Sequence, residues 1–147
     1  MHKDFYASGF LYNLSSQQIL LQQLNSSPHW LIFKGEKEDS TTPTEVFQRV
    51  IFQELHIKLQ PDSILPVYDY FHKELKKTHY IVYAEISTPN LKLKPKEGQI
   101  LEWFKFKQIY KLPLKEQTRQ DITVGQRVID AMARSLLPPE NNLFNKS

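Results

Sequence analysis

A chain of 147 residues, 40% hydrophobic and 24% charged, has the size and apolar content of one globular domain. It has no cysteine, which excludes a disulfide scaffold, a zinc–thiolate site and a cysteine nucleophile. The net charge of +3 is uninformative, but its distribution is uneven: residues 36–54 carry five acidic and two basic side chains, and residues 73–115 carry ten lysines and four glutamates. Such a division suits an anionic ligand with a divalent cation, although an unevenly charged solvated surface gives the same pattern. Apolar runs such as Ile19-Leu20-Leu21 are too short to span a membrane, and the N-terminal MHKDFYASGF lacks an apolar signal core. The expectation is a soluble cytoplasmic protein without a membrane partner.

Phe5 to Leu14 reads as a strand, Ser15-Ser16 as a turn and Gln18 to Leu24 as a second strand. After the loop Asn25-Ser26-Ser27-Pro28, the run His29 to Phe33 reads as a short buried strand, and the polar stretch Lys34 to Thr42 as a loop. A helix then starts with a capping box, Thr42 and Glu45, with Pro43 in its first turn. Val46, Phe47, Val50, Ile51 and Leu55 recur at helical spacing and carry it to about Leu55. Pro61-Asp62-Ser63 marks the next loop.

Leu65 to Phe71 and Thr78 to Ile86 read as strands joined by a charged turn. Both alternating sets of the second are largely apolar, so it should be covered on both faces. Ser87 to Gly98 reads as a flexible loop, and Ile100 to Phe106 as a strand. The last helix should start near Thr123, with Thr123 and Gln126 as its capping box and Val124, Val128, Met132 and Leu136 as its buried stripe. A single domain over residues 1–137 follows, with 138–147 a frayed tail. Strands, helix, strands and helix in this order fit an α+β layered fold.

The segment GEKEDSTTPTEVFQRVIFQELHI, Gly35 to Ile57, resembles the Nudix box, G-x5-E-x7-R-E-U-x-E-E-x-G-U, where U is a bulky apolar residue. Gly35, Arg49, Ile51, Glu54 and Ile57 match. Thr41, Val50, Gln53 and His56 depart. Lys34-Gly35 with Glu38 is similar to the PKGxxE form found in dinucleoside-polyphosphate hydrolases, with Phe33 in place of the proline. LEWFKFKQIYKL resembles the family's tryptophan-bearing strand before a short helix. The resemblance implies a Nudix-type α/β/α sandwich with a mixed central sheet.

It also implies a metal-dependent hydrolase of a nucleoside-diphosphate-linked substrate, whose helix glutamates hold Mg²⁺ or Mn²⁺ beside the pyrophosphate. Positions 50, 53 and 54 lie within about 100° of one another on a helix, so three carboxylates there would converge on a metal. This chain offers Val50, with no donor, Gln53, with a neutral carbonyl, and Glu54. Weak, altered or absent activity is therefore expected, with weak metal binding. Val50 there can extend the core stripe.

On this resemblance Glu54, Arg49 and Glu97 are the candidate catalytic residues. Lys34 and Gly35 are the candidate substrate-binding residues, and Glu54, Gln53 and Glu38 the candidate metal ligands. Glu36 lies in the same loop as Glu38. Arg49 has two readings: an ion pair with Glu45 four residues earlier, or a retained phosphate- or loop-holding role. His56 must tolerate a left-handed conformation where the family has glycine. His72 and His79 flank a turn and read as a surface pair, while Trp30 and Trp103 read as core. The ligand implied is a nucleotide-type phosphorylated small molecule. The alternative is a non-catalytic module binding nucleotide or RNA, as in the Nudix subunit of the pre-mRNA cleavage factor and in regulators of NAD metabolism.

Overall fold

The computed structural model describes residues 5–36, 42–88 and 91–135. The elements in chain order are β1 (Phe5–Asn13), β2 (Gln18–Leu24), β3 (Phe33–Glu36), α1 (Pro43–Leu55), β4 (Ile64–His72), β5 (Lys77–Ile86), β6 (Gln99–Lys105), α2 (Phe106–Ile109) and α3 (Glu116–Ser135). Pro61–Ser63 forms a single 3₁₀ turn before β4.

The six strands form one mixed sheet in the order β4-β5-β1-β2-β6, with β3 also paired to β1. β1 runs parallel to β5, with Gly9 opposite Val82, and every other pair is antiparallel. Period-two alternation assigns side chains to the two faces. Ala7, Leu11, Leu20, Val82 and Ala84 join Val46, Phe47, Val50 and Ile51 of α1 in one core. Phe10, Tyr12, Ile19, Leu21, Tyr83 and Phe104 join Ile122 and Ile129 of α3 in the other. The sheet is thus sandwiched between α1 and α3, and β5 is buried on both faces from Ile81 to Ala84.

The capping box of α1 is formed: Thr42 Oγ1 accepts from the Glu45 N–H at 3.2 Å, and Glu45 Oε1 accepts from the Thr42 N–H at 3.3 Å. Thr42→Ala is expected to destabilise the fold by about 1 kcal/mol, read as a shift of the urea midpoint at unchanged m-value. At the other end His56 caps α1 at φ 58°, ψ 29°, its N–H donating to the Phe52 carbonyl at 2.9 Å.

Two expected elements are displaced. The apolar run 29–33 is not a strand; β3 begins at Phe33 and continues through Lys34, Gly35 and Glu36. Trp30 is buried, with its ring edge-on to Phe104 at 4.9 Å, and only Leu31 bridges to Gln22. Apolarity there reports burial and not strand pairing. In β3 the buried and exposed positions alternate, with Gly35 as an inward residue. A Cβ on Gly35 would run into Cγ2 of Val50, so the glycine sets how closely α1 lies on β3.

α3 begins at Glu116, seven residues before the expected Thr123 start. Thr123 is internal, and its hydroxyl donates to the Arg119 carbonyl at 2.8 Å instead of capping. The buried stripe is Asp121, Ile122, Gly125 and Ile129; Val124 and Val128 are half-buried and Met132 is exposed. Gly125 lies against the Phe10 ring, so a core position of this helix carries no side chain to register in an apolar periodicity. Leu136 and the expected tail lie outside the described residues.

Candidate functional site: two joined cavities at the end of α1

β1 changes partner along its length, pairing with β3 from Tyr6 to Gly9 and with β2 from Leu11 to Asn13. Where β2 and β3 part, a cavity of about 420 Å³ opens, lined by Ser8, Gln22, Leu31, Ile32, Tyr70, His79 and Asp121 among others. A second cavity of about 290 Å³ adjoins it, lined by Lys34, Gly35, Glu36, Arg49, Val50, Gln53 and Glu54. Lys34, Val50 and Glu54 border both.

Helix geometry places Val50, Gln53 and Glu54 on the wall of the smaller cavity. Val50 is only 7% exposed and packs into the core with Val46. Gln53 is exposed. Glu54 is engaged by two donors: Lys96 Nζ stands 3.0 Å from Oε2, and Gln99 Nε2 stands 3.4 Å from Oε1. The buried Gln99 amide also donates to Gln22 Oε1 at 2.9 Å.

Mg²⁺ or Mn²⁺ requires several converging oxygen ligands, preferably charged. Among the described residues no three His, Cys, Asp or Glu side chains are grouped to hold a metal ion. The retained carboxylate already faces an ammonium. This donor set does not fit the divalent cluster that the Nudix resemblance implies.

Lys34, which lines both cavities, places its ammonium 4.3 Å above the ring of Tyr6, which lines neither. Arg49 Nη2 donates to the Glu36 carbonyl at 2.6 Å, tying α1 to the end of β3. Glu45, the partner in one of the two readings of Arg49, takes part in the capping box of α1. Glu97 and its neighbour Lys96 are both exposed and border neither cavity, but Lys96 reaches Glu54. Glu38 and Thr41 lie outside the described residues.

The larger cavity has a polar floor that the sequence did not announce. Tyr68 OH donates to Asp121 Oδ1 at 2.6 Å, and Gln117 Nε2 donates to the same oxygen at 2.9 Å. Asp121 is 3% exposed, and burial raises its pKa against the lowering effect of these two bonds. Tyr68 is pushed well above the usual phenol range by burial and the Asp121 bond, and Tyr70 to about 12 by burial and the Asp121 charge.

His79 points inward and is no surface partner of His72. Its Nε2 lies 2.7 Å from Ser8 Oγ and its Nδ1 2.9 Å from the Tyr70 hydroxyl. His72 Nδ1 instead accepts from the Leu75 N–H at 3.3 Å. Burial, then the charges of Lys34 and His72, lower the His79 pKa from 6.5 to about 4, so the imidazole is neutral at pH 7. As pH falls from 6.5 toward 4, the unfolded chain takes up a proton that the folded chain refuses, and stability declines. His79→Gln keeps two hydrogen-bonding atoms without titrating. It is expected to reduce the stability lost between about pH 7 and about pH 4.5 by about 1 kcal/mol, after allowance for solvent screening, in urea unfolding at both pH values.

No family model matches the sequence. No curated protein matches it either. Solved structures do match. The Nudix domain of NrtR from Shewanella oneidensis, complexed with ADP ribose, superposes with a TM-score of 0.67 at 12% identity, covering 88% of this chain and 90% of that one. MutT, in a study of the Aliivibrio salmonicida and Vibrio cholerae proteins, gives 0.65 at 14% identity, covering 88% and 99%. A Caenorhabditis elegans Ap4A hydrolase in a binary complex gives 0.65 at 16% identity, covering 86% and 98%. The α/β/α sandwich of this chain is the Nudix fold. Among the described residues no helix is long and apolar enough to cross a membrane.

Proposed function

We propose that this chain binds a nucleotide-type phosphorylated small molecule across the two joined cavities, with metal-dependent phosphoanhydride hydrolysis weak or absent. The carrying observation is the state of Glu54: it is the sole carboxylate among positions 50, 53 and 54, and it faces Lys96 at 3.0 Å beside both cavities.

Phosphate oxygens suit the smaller cavity, where Lys34 and Arg49 supply positive charge. A ring suits the larger one, whose volume of about 420 Å³ is in the range of small-molecule sites. Leu31 and Ile32 offer it apolar walls, and Asp121 and Gln117 offer polar atoms to its edge. ADP ribose, bound in the similar NrtR domain, and Ap4A, for which the similar Caenorhabditis elegans hydrolase is named, supply test compounds. Nothing in the cavity pair favours RNA over a small molecule.

ADP ribose, Ap4A and a nucleoside triphosphate are offered to the purified protein in EDTA and in Mg²⁺ or Mn²⁺. At about 100-fold above Kd a true ligand stabilises the fold by about 2.7 kcal/mol, read as a rise in Tm. At least one compound is expected to do this without metal, with no product above the buffer rate. Metal-dependent turnover restores the hydrolase reading, and absence of binding across the panel overturns the proposal.

A further inference from the structure

A cation stands beside the cleft: Lys96 lines neither cavity, but its ammonium lies 3.0 Å from Glu54, which lines both. We infer that Lys96 acts as a tethered cation that receives the phosphate oxygens of the ligand without a divalent metal, with Glu54 holding its ammonium in place and competing with the ligand for it. The inference deepens the reading of the cleft as a phosphorylated-ligand site and rests on it.

The position of Lys96 is built by the turn into β6. The Lys96 N–H donates to Gln99 Oε1 at 3.0 Å, and the Gln99 N–H donates to the Lys96 carbonyl at 3.0 Å. Gly98, at φ 79°, passes its carbonyl to the Asn25 N–H at 2.7 Å, which ties the turn to the end of β2. The same Gln99 side chain that receives Lys96 also reaches Glu54 and Gln22. One side chain thus sets the register between the lysine and the carboxylate.

The ammonium itself is not closed off. The side chains of Lys96 and Glu54 are 49% and 33% exposed. An ammonium has three donors, and Glu54 Oε2 takes one of them. Lys34 lines the same cavity as Glu54, and Lys96, which lines neither cavity, reaches its edge only through Glu54. A metal site and a lysine site make opposite demands on Glu54. A metal needs its carboxylate as a ligand, so removing the charge abolishes anion binding. A lysine loses a competitor when that charge goes, so anion binding tightens.

Inorganic pyrophosphate binding to the full chain is measured by calorimetry in EDTA, with the fold of each variant checked by its thermal transition. Lys96→Met is expected to weaken binding about tenfold, and Lys96→Arg to stay within about threefold of wild type. Glu54→Gln is expected to tighten binding about threefold or more. No pyrophosphate binding in EDTA, an unchanged Kd in Lys96→Met, or weaker binding in Glu54→Gln overturns the inference. ADP ribose in the same buffer separates the two readings. If it fails to bind while pyrophosphate follows the stated signs, the nucleotide reading falls and the tethered cation stands. If it binds equally well to wild type and Lys96→Met, the tethered cation falls and the nucleotide reading stands.

Discussion

Gly9→Ala is expected to destabilise the fold by about 3 kcal/mol or more, lowering Tm by roughly 10 °C. Gly9 sits on the α1 face of β1, opposite Val82 of the parallel neighbour β5. A Cβ there would run into the Val82 carbonyl oxygen, lie 2.9 Å from the carbonyl carbon and 3.0 Å from Cε1 of Phe47. Phe47 could turn aside, but the Val82 backbone cannot move without parting two central strands. β1 is also the strand from which Ser8 reaches the larger cavity, so strain at Gly9 transmits to the site. Thermal melting of the variant checks the loss. A change below about 1 kcal/mol would mean that β1 and β5 are looser here than the described geometry.

Elements held by local chemistry were legible in the sequence. The limits of α1 followed from Thr42, Pro43 and Glu45 at one end and the last apolar position, Leu55, at the other. β2 and β5 followed from unbroken apolar runs, because their successive positions face α1 and α3 in turn. What failed was set by long-range packing. β3 looked like loop because Lys34 and Glu36 are polar and the inward residue between them is glycine. The start of α3 was missed because its first turns spend their buried position on Asp121, which is held by Tyr68 of β4.

The candidate site divides the same way. The common face of positions 50, 53 and 54 followed from helical rotation alone, and all three border the smaller cavity. Their tertiary partners did not follow. Lys96 is 42 residues from Glu54 in the chain, and nothing local marks it over Glu97. Only the turn through Gly98 and the Gln99 contacts select which of the two adjacent residues reaches α1. Asp121 and His79 are likewise isolated in sequence, and the fold sets both around the larger cavity.

Val50→Glu, Gln53→Glu and Lys96→Ala combined are expected to turn this face into a divalent cation site. Three carboxylates would then lie within about 100° on two turns of α1, with their own ammonium removed. In EDTA the triple variant should lose about 2–4 kcal/mol, since position 50 is only 7% exposed, and a carboxylate there is partly desolvated and repelled by its neighbours. Mn²⁺ relieves that repulsion, and at about 100-fold above Kd it should return about 2.7 kcal/mol. Wild type, with Glu54 facing Lys96 and no second carboxylate on the face, should melt at the same temperature with and without Mn²⁺. Paired melts in EDTA and Mn²⁺ read both effects. Stabilisation of wild type by Mn²⁺ would show that other carboxylates, Glu36 first among them, already complete a site around Glu54. A triple variant that folds but ignores Mn²⁺ would show that the end of α1 no longer brings three side chains to one point. Phosphoanhydride hydrolysis by the variant is then the stricter measure, because it requires the bound metal to face the proposed phosphate end of the cleft, in the cavity that Lys34 lines.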